Sequence, residues 1–319
     1  MQLAYFITEC IERLSPLYPG EEARTIALRL LQEIGGVPNY AYLVDPQAEI
    51  KDKVDQFRQA GSTAGTLSGR ESGGISGAQA EQKLTDCLRE LATGRPLQYV
   101  LGYEWFCGYK FRVKEGVLIP RPETEELVRY VLKGCEADKT GRWNVLDICT
   151  GSGCIAHSLA AGLGERASVW GCDISREALE AAASQQVSSF IPRFFRWDVL
   201  NEAVPEAVRE AGVPKFNRIV SNPPYVCEAE KTLMRKNVLD FEPAIALFVP
   251  DDDPLLFYRR IARLGKELLA EGGRLYFEIN ERFGKEVAAL LEQEGYSGCT
   301  VLKDMNGKER FAESVFFGF

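Results

Sequence analysis

The chain has 319 residues, 45% of them hydrophobic, and a formal net charge of −8 at pH 7, which fits one large or two smaller globular domains. The acidic balance argues against a polybasic grip on nucleic acid, so we expect no stable nucleic-acid partner. The nine cysteines are scattered with no Cys-x-x-Cys pair, and there is one histidine, so we expect neither a metal site nor disulfides. The sequence shows no signal peptide and no apolar run long enough to span a membrane, which predicts a cytoplasmic protein without membrane attachment. We expect it to act as a monomer.

Residues 1–94 are predicted to form a helical domain. Apolar residues recur at helical spacing on both sides of Pro19-Gly20, and two further helices are predicted around Val54 and Leu84. This domain carries no catalytic motif, so its expected role is to dock a protein substrate or simply to pack. Residues 61–80, rich in Gly and Ser and without an aromatic residue, are predicted to be a flexible loop.

Residues 95–120 are predicted to form a β-hairpin that links two domains. The runs YVLGYEWF and YKFRV alternate or are aromatic, and Cys107-Gly108 separates them.

Residues 121–319 alternate between strand-like and helical segments, which predicts a doubly wound, mostly parallel α/β sheet covered by helices on both faces. Asp253 is predicted to cap a helix whose first residue is Pro254. Two runs flanking Asn306-Gly307 predict a final antiparallel hairpin.

The motif Asn222-Pro223-Pro224-Tyr225 directly follows a predicted buried strand. Proline lacks an N–H group, and a residue before proline is held in extended conformations, so the motif presents acceptors in narrow directions. Such a site can grip an –NH2 group beside the aromatic ring of Tyr225. A purely structural Pro-Pro turn is the alternative.

A glycine loop joins the first strand of this region to a helix. Its residues are Asp147, Ile148, Cys149, Thr150, Gly151, Ser152 and Gly153. Glycines let the backbone approach a ligand, and the helix N-terminus offers free N–H groups. Asp173 ends the second strand, where a carboxylate can bind a ribose diol.

Two cofactor classes fit this loop. Gly151 to Ala156 match the G-x-G-x-x-A fingerprint of dehydrogenases. Three strand-end carboxylates, Asp147, Asp173 and Asp198, instead favour the cationic S-adenosylmethionine. Asp198 could equally be a turn residue. Because ligands of doubly wound sheets bind beyond the carboxyl ends of the strands, we expect Gly151 and Asn222 to face one cleft.

Together these motifs resemble the class I methyltransferases that modify amino groups. More narrowly, the segments GRPLQYVLG (94–102) and LIPRPETE (118–125) resemble the peptide chain release factor N5-glutamine methyltransferases. The resemblance implies a seven-stranded sheet, S-adenosylmethionine as cofactor, and methylation of the glutamine side chain in a Gly-Gly-Gln loop of a release factor.

The resemblance also implies roles for individual residues. Asn222, the Pro223 carbonyl and Tyr225 form the catalytic group that holds the glutamine –NH2 and walls its channel, with Pro224 beside them. The segment from Arg121 to Thr124 would lie near the cofactor or serve as a helix-entry turn. The implied cofactor contacts are Asp147, Cys149, Thr150, Gly151, Ser152, Gly153, Asp173 (ribose), Asp198 and Val199 (adenine), and Asn222.

Cys149 and Asn280 depart from the family pattern, since glycine is usual at both positions. Other readings are an amino-group methyltransferase acting on adenine or guanine in DNA or RNA, one acting on a ribosomal-protein glutamine, a dehydrogenase, and a protein that binds the cofactor without catalysis. His157, on an apolar helix face, is predicted to be structural.

Overall fold

The computed structural model describes residues 1–63, 75–136, 141–206, 208 and 215–318, with the side chains of residues 60–63 excepted. These residues form two compact units, Met1–Leu101 with Lys236–Val238, and Gly102–Arg235 with Leu239–Phe319. The predicted division at residue 94 and the separate linker at 95–120 differ from this arrangement. The hairpin predicted there belongs to the second unit.

The first unit is helical, as its apolar periodicity predicts. Its helices are Leu3–Leu14 (α1), Gly20–Gly35 (α2), Asn39–Val44 (α3), Ile50–Thr63 (α4), Gly77–Leu91 (α5) and Leu97–Leu101 (α6). The apolar stripes meet in one core, in which Leu3, Leu30 and Leu84 are fully buried. Ser76 begins α5 with a capping box, because its hydroxyl accepts from Gln79 N and the Gln79 side chain accepts from Ser76 N.

Two predictions for this region need correction. The predicted loop at 61–80 is too long, because residues 61–63 end α4 and residues 77–80 begin α5; residues 64–74 lie outside the described residues. The predicted hairpin starts too early, because Leu97–Leu101 is helical. Pro96 begins that helix by accepting from Tyr99 N, and Gly102, with φ +79°, ends it.

The second unit contains the sheet. Its strands are Tyr103–Phe106 (β1), Tyr109–Arg112 (β2), Trp143–Ile148 (β3), Ala167–Asp173 (β4), Arg193–Arg196 (β5), Phe216–Ser221 (β6), Val226–Cys227 (β7), Phe248–Val249 (β8), Leu269–Glu278 (β9), Tyr296–Lys303 (β10) and Glu309–Phe316 (β11). Within the described residues, seven strands form the main sheet in the order β10-β11-β9-β6-β3-β4-β5. From β9 to β5 the strands are parallel, whereas β11 and β10 are antiparallel, which confirms the predicted final hairpin.

The helices of the second unit are Pro122–Glu136 (α7), Cys154–Leu163 (α8), Arg176–Ala183 (α9), Leu256–Leu268 (α11) and Gly284–Gln293 (α12), with 3-10 turns at Gly164–Arg166, Glu228–Leu233 and Ala244–Ala246. A further helix, Lys236–Phe241 (α10), has its first three residues in the first unit. Alternate residues of the central strands enter two different cores, for example Leu146 in one and Val145 in the other. Both faces are therefore covered, as near-continuous apolar strands require.

The predicted start of α11 is wrong by two residues. The helix begins at Leu256 with Leu255 as its N-cap, while Asp253 makes a two-pronged ion pair with Arg259 at 2.8 and 3.0 Å. The carboxylate thus satisfies a side chain of the helix instead of its first backbone N–H groups. Across the described ranges, the chain has no helix with the length and apolarity needed to span a bilayer.

Candidate active site

The site lies where four parallel strands end at the same edge of the sheet. Ile148 is paired with both Cys172 and Ser221, and Ser221 is paired with Phe277. The residues that follow these four in the chain are Cys149, Asp173, Asn222 and Glu278. The chain order reverses between β3 and β6, so the cleft opens at the switch point of the sheet, as expected.

A cleft with about 860 Å³ of empty space, part of it open to solvent, occupies this position. Gly151 and Asn222 both line it, which confirms that the two motifs share one cleft. Among the described lining residues, Asp173 and Asp198 are charged, and none is Lys, Arg or His. The electrostatic character of the cleft therefore suits a cation.

A buried carboxylate, that of Asp147, forms hydrogen bonds that hold the glycine loop in place. Asp147 is fully buried, and its Oδ2 accepts from Thr150 Oγ1 at 2.6 Å and from Ala156 N at 3.1 Å. Burial raises the pKa of Asp147 to about 7. Asp147 and Thr150 do not line the described cleft, so their side chains hold the loop together.

The two glycines of the loop have different surroundings. Both adopt left-handed backbone angles, with φ +54° at Gly151 and φ +77° at Gly153. Gly151 lines the cleft and has open space where a Cβ atom would lie, whereas a Cβ at Gly153 would be 2.9 Å from the Cβ of Ala182. Gly153 therefore permits close packing of α8, and Ser152, also buried, lies away from the cleft wall.

Cys149 stands in the left-handed region with φ +62°, where glycine is unstrained and other residues are uncommon. This angle explains why glycine is expected at the position. The side chain lines the cleft, and burial raises the pKa of the thiol well above its usual value, so the thiol stays protonated.

Asp173 lines the cleft and is held by two backbone N–H groups. Its Oδ2 accepts from Gly151 N and its Oδ1 from Ser175 N, both at 2.9 Å. Burial raises the pKa of Asp173, and these hydrogen bonds oppose the shift. A carboxylate has about four lone-pair sites, so the group keeps capacity to accept from a ligand hydroxyl. The next residue, Ile174, also lines the cleft with a partly exposed apolar side chain, a contact that its sequence context does not predict.

Asp198 and Val199 lie on the same wall. The Asp198 carboxylate accepts from Leu200 N and from both the backbone and side chain of Asn201, at 2.9 to 3.2 Å. Burial alone would raise the pKa of Asp198, but these hydrogen bonds lower it below its usual value. Asp198 is thus both a turn residue and a wall of the cleft, so the two alternatives are compatible.

Asn222 and Pro224 line the cleft, while Pro223 is buried and Tyr225 lies away from the described wall. The Asn222 amide donates from Nδ2 to Thr124 Oγ1 at 3.2 Å. The Tyr225 hydroxyl donates to Glu278 Oε1 at 3.0 Å, and burial raises its pKa well above the usual value. Tyr225 therefore stays neutral and cannot serve as a base.

Glu278 and Asn280 support this motif from the end of β9, and neither was predicted to do so. Glu278 Oε2 also accepts from Thr124 Oγ1 at 2.6 Å. Asn280 Nδ2 donates to the carbonyl of Tyr225 at 3.1 Å and to Glu230 Oε2 at 2.9 Å. Asparagine at position 280 thus anchors the backbone of the motif, which glycine could not do.

His157 is buried, and one ring nitrogen, Nε2, lies 2.8 Å from the carbonyl oxygen of Ala182. Burial lowers its pKa, and its ring packs near Phe111 and Phe194. It does not line the described cleft, in agreement with the structural role predicted for it.

The sheet order, the antiparallel pair at its end, the glycine loop and the acidic end of β4 define a class I methyltransferase. Comparison with known proteins gives the family. Residues 130–240 match the family model "Methyltransferase small domain".

Named relatives cover most of the chain. A release factor glutamine methyltransferase of Bacteroides thetaiotaomicron is 46% identical over 238 residues, which are 74% of this chain and 81% of the relative. One from Flavobacterium psychrophilum is 43% identical over 231 residues, 72% of this chain and 78% of the relative. The chain belongs to the release factor glutamine methyltransferase family.

A solved structure is also similar. The release-factor-specific protein-(glutamine-N5) methyltransferase of Alicyclobacillus acidocaldarius is 27% identical, with 65% of this chain and 99% of that chain covered at a TM-score of 0.39.

Proposed function

We propose that this protein transfers a methyl group from S-adenosylmethionine to the side-chain amide nitrogen of a glutamine in a peptide chain release factor. The observation that carries the proposal is that Asn222 shares one cleft with the glycine loop and with Asp173. By the resemblance, the substrate is the glutamine of a Gly-Gly-Gln loop.

The residues present fit the proposed cofactor. Asp173 would hold the ribose hydroxyls through its remaining lone pairs, and Gly151 leaves room beside the loop. Ile174 and Val199 offer apolar walls for a planar base. A pyrophosphate would lack a cationic partner among the described lining residues, so the cleft fits a dinucleotide less well.

S-adenosylmethionine, when bound, supplies an electrophilic methyl group. The protein must prepare the amide nitrogen, which is a poor nucleophile because its lone pair is delocalised into the carbonyl. The oxygen of the Asn222 amide and the carbonyl of Pro223 would accept from the substrate –NH2. Two fixed acceptors orient the nitrogen and stabilise the positive charge that develops on it. No base is required before attack, because the nitrogen becomes far more acidic once it carries the methyl group and releases its proton then, in keeping with a neutral Tyr225.

Methyl-labelled cofactor offered separately with release factor, ribosomal protein, DNA and RNA tests the proposal. We expect label in the release factor alone, and mass spectrometry should place one added methyl on the glutamine. A release factor with that glutamine replaced by alanine is the matched substrate control. Label in a nucleic acid or in the ribosomal protein instead would refute the proposed substrate.

Asn222→Ala tests the proposed chemistry. Turnover should be abolished while the affinity for S-adenosylmethionine, measured by calorimetry, changes little, since the acceptor acts on the substrate amide. Asp173→Ala should instead weaken the binding of S-adenosylmethionine, because it removes the carboxylate proposed to hold the ribose. Near wild-type turnover by Asn222→Ala would show that the acceptor mechanism is wrong.

A further inference from the structure

A chain of hydrogen bonds runs from a buried carboxylate to the cleft. Glu278 is 1% exposed and accepts from Thr124 Oγ1 at 2.6 Å. Thr124, itself 2% exposed in the first turn of α7, accepts in turn from Asn222 Nδ2 at 3.2 Å. The other Glu278 oxygen accepts from the Tyr225 hydroxyl at 3.0 Å.

The chemistry of Glu278 sets the direction of every hydrogen bond in this chain. A carboxylate can only accept, so the single hydroxyl proton of Thr124 must point towards it. The Thr124 oxygen then has only lone pairs to offer to Asn222, and it can bind the amide nitrogen but not the amide oxygen. Asn222 Oδ1 consequently faces away from Thr124, on a side chain that lines the cleft.

We propose that Glu278 is a positioning residue that, through Thr124, fixes which end of the Asn222 amide is presented to the substrate. This inference rests on the proposed function, because an amide oxygen is the end that an incoming –NH2 group requires. With the amide reversed, two donors would meet, and the oriented complex would be lost.

The surroundings of Glu278 bear on its charge. Burial raises its pKa, while the hydroxyls of Thr124 and Tyr225 and the charge of Arg310 oppose that shift; Glu123 adds to it. Both hydroxyls donate to the carboxyl group, an arrangement that matches the ionised form, which has acceptors for both.

Position 124 offers a matched pair of variants. Thr124→Ser keeps the hydroxyl, whereas Thr124→Val keeps the shape and removes it. We expect kcat on the release factor to fall about tenfold or more in Thr124→Val and to stay within about threefold in Thr124→Ser, with the Kd for S-adenosylmethionine changed about twofold at most in both.

Glu278→Met removes the acceptor without leaving a buried charge and should behave like Thr124→Val. Glu294→Met is its control, because Glu294 pairs with Arg263 and Lys266 and lies outside the described cleft lining. Its kcat should equal that of the unmodified enzyme.

A second measurement needs neither cofactor nor substrate. In the free protein, nuclear magnetic resonance should show one side-chain amide proton of Asn222 shifted downfield and slow to exchange, because it is bonded to Thr124. That signal should persist in Thr124→Ser and be lost in Thr124→Val and Glu278→Met. If the unmodified enzyme fails to methylate release factor, the proposed function falls, and this resonance still decides the positioning role.

Three results would overturn the inference: equal kcat for the Val and Ser variants, an unchanged Asn222 resonance in Glu278→Met, or cofactor affinity that falls in proportion to kcat. If Thr124→Val does not fold, Glu278→Met and the resonance decide.

Discussion

Replacing each glycine of the loop by alanine should separate stability from binding. At Gly153, the positive φ of 77° costs alanine about 1–2 kcal/mol. Its Cβ would also lie 2.9 Å from Ala182 Cβ and 3.1 Å from His157 Cδ2, and such overpacking costs a further 1–3 kcal/mol or so. Alanine also lowers the conformational entropy of the unfolded chain, which stabilises the folded protein by about 0.4–1 kcal/mol. We expect Gly153→Ala to lower the unfolding free energy by about 2–4 kcal/mol.

At Gly151, only the backbone term applies, since no atom of the described residues lies within 4 Å of the added Cβ apart from the glycine and its two chain neighbours. With φ +54° the net loss should be about 1 kcal/mol. The methyl group would, however, occupy space beside the cleft, so we expect S-adenosylmethionine to bind about tenfold more weakly or worse.

Urea denaturation followed by tryptophan fluorescence measures both losses. The four tryptophans, at 105, 143, 170 and 197, all belong to the second unit, so the signal reports the unit that holds the loop. Calorimetric titration gives the cofactor affinity. If Gly151→Ala is the more destabilising variant, or binds the cofactor as tightly as the unmodified protein, the two glycines do not have the separate roles expected here.

Three further predictions concern stability. Burial raises the pKa of Asp147 from 3.8 to about 7 on folding, so the unfolding free energy is highest below pH 4 and should fall by up to about 4 kcal/mol as the pH rises through 7. Urea denaturation at pH 5 and pH 8 should show this fall in the unmodified protein and a smaller one in Asp147→Asn. Arg121→Met should cost about 2 kcal/mol by leaving buried Glu242 without its ion pair, and adding Glu242→Gln should recover part of that loss by the same measurement. Ser76→Ala should destabilise the start of α5 by about 1 kcal/mol, seen as faster amide hydrogen exchange there.

Most of the fold could be predicted because its signals are local. Helical periodicity, the alternation of strands and helices, and the turn at Asn306-Gly307 depend on residues close together in the chain. The errors were at boundaries. Pro96 and Gly102 mark a short helix that the aromatic run beside them concealed, and Asp253 binds Arg259 six residues ahead instead of capping α11.

The candidate site was predictable only as far as strand ends reveal it. Gly151, Asp173 and Asn222 lie at or shortly after the ends of predicted strands, which is the edge where ligands of such sheets bind, and all three line the cleft. The support from Glu278 was not predictable, because its partner Thr124 is 154 residues away in the chain. The sequence also does not show that the Thr150 hydroxyl donates to the buried carboxylate of Asp147.

Asp147, Asp173 and Glu278 all lie near strand ends, but they differ in burial and in the groups that they contact. Asp147 and Glu278 are buried, and each accepts from a threonine hydroxyl at 2.6 Å. A hydroxyl committed to a carboxylate has a fixed direction, so these two acids orient protein groups. Asp173 accepts from backbone N–H groups and remains on the cleft wall, with lone pairs free for a ligand. Acidic side chains at one edge of the sheet thus differ in what they face, because Asp147 and Glu278 contact buried protein groups whereas Asp173 faces the cleft.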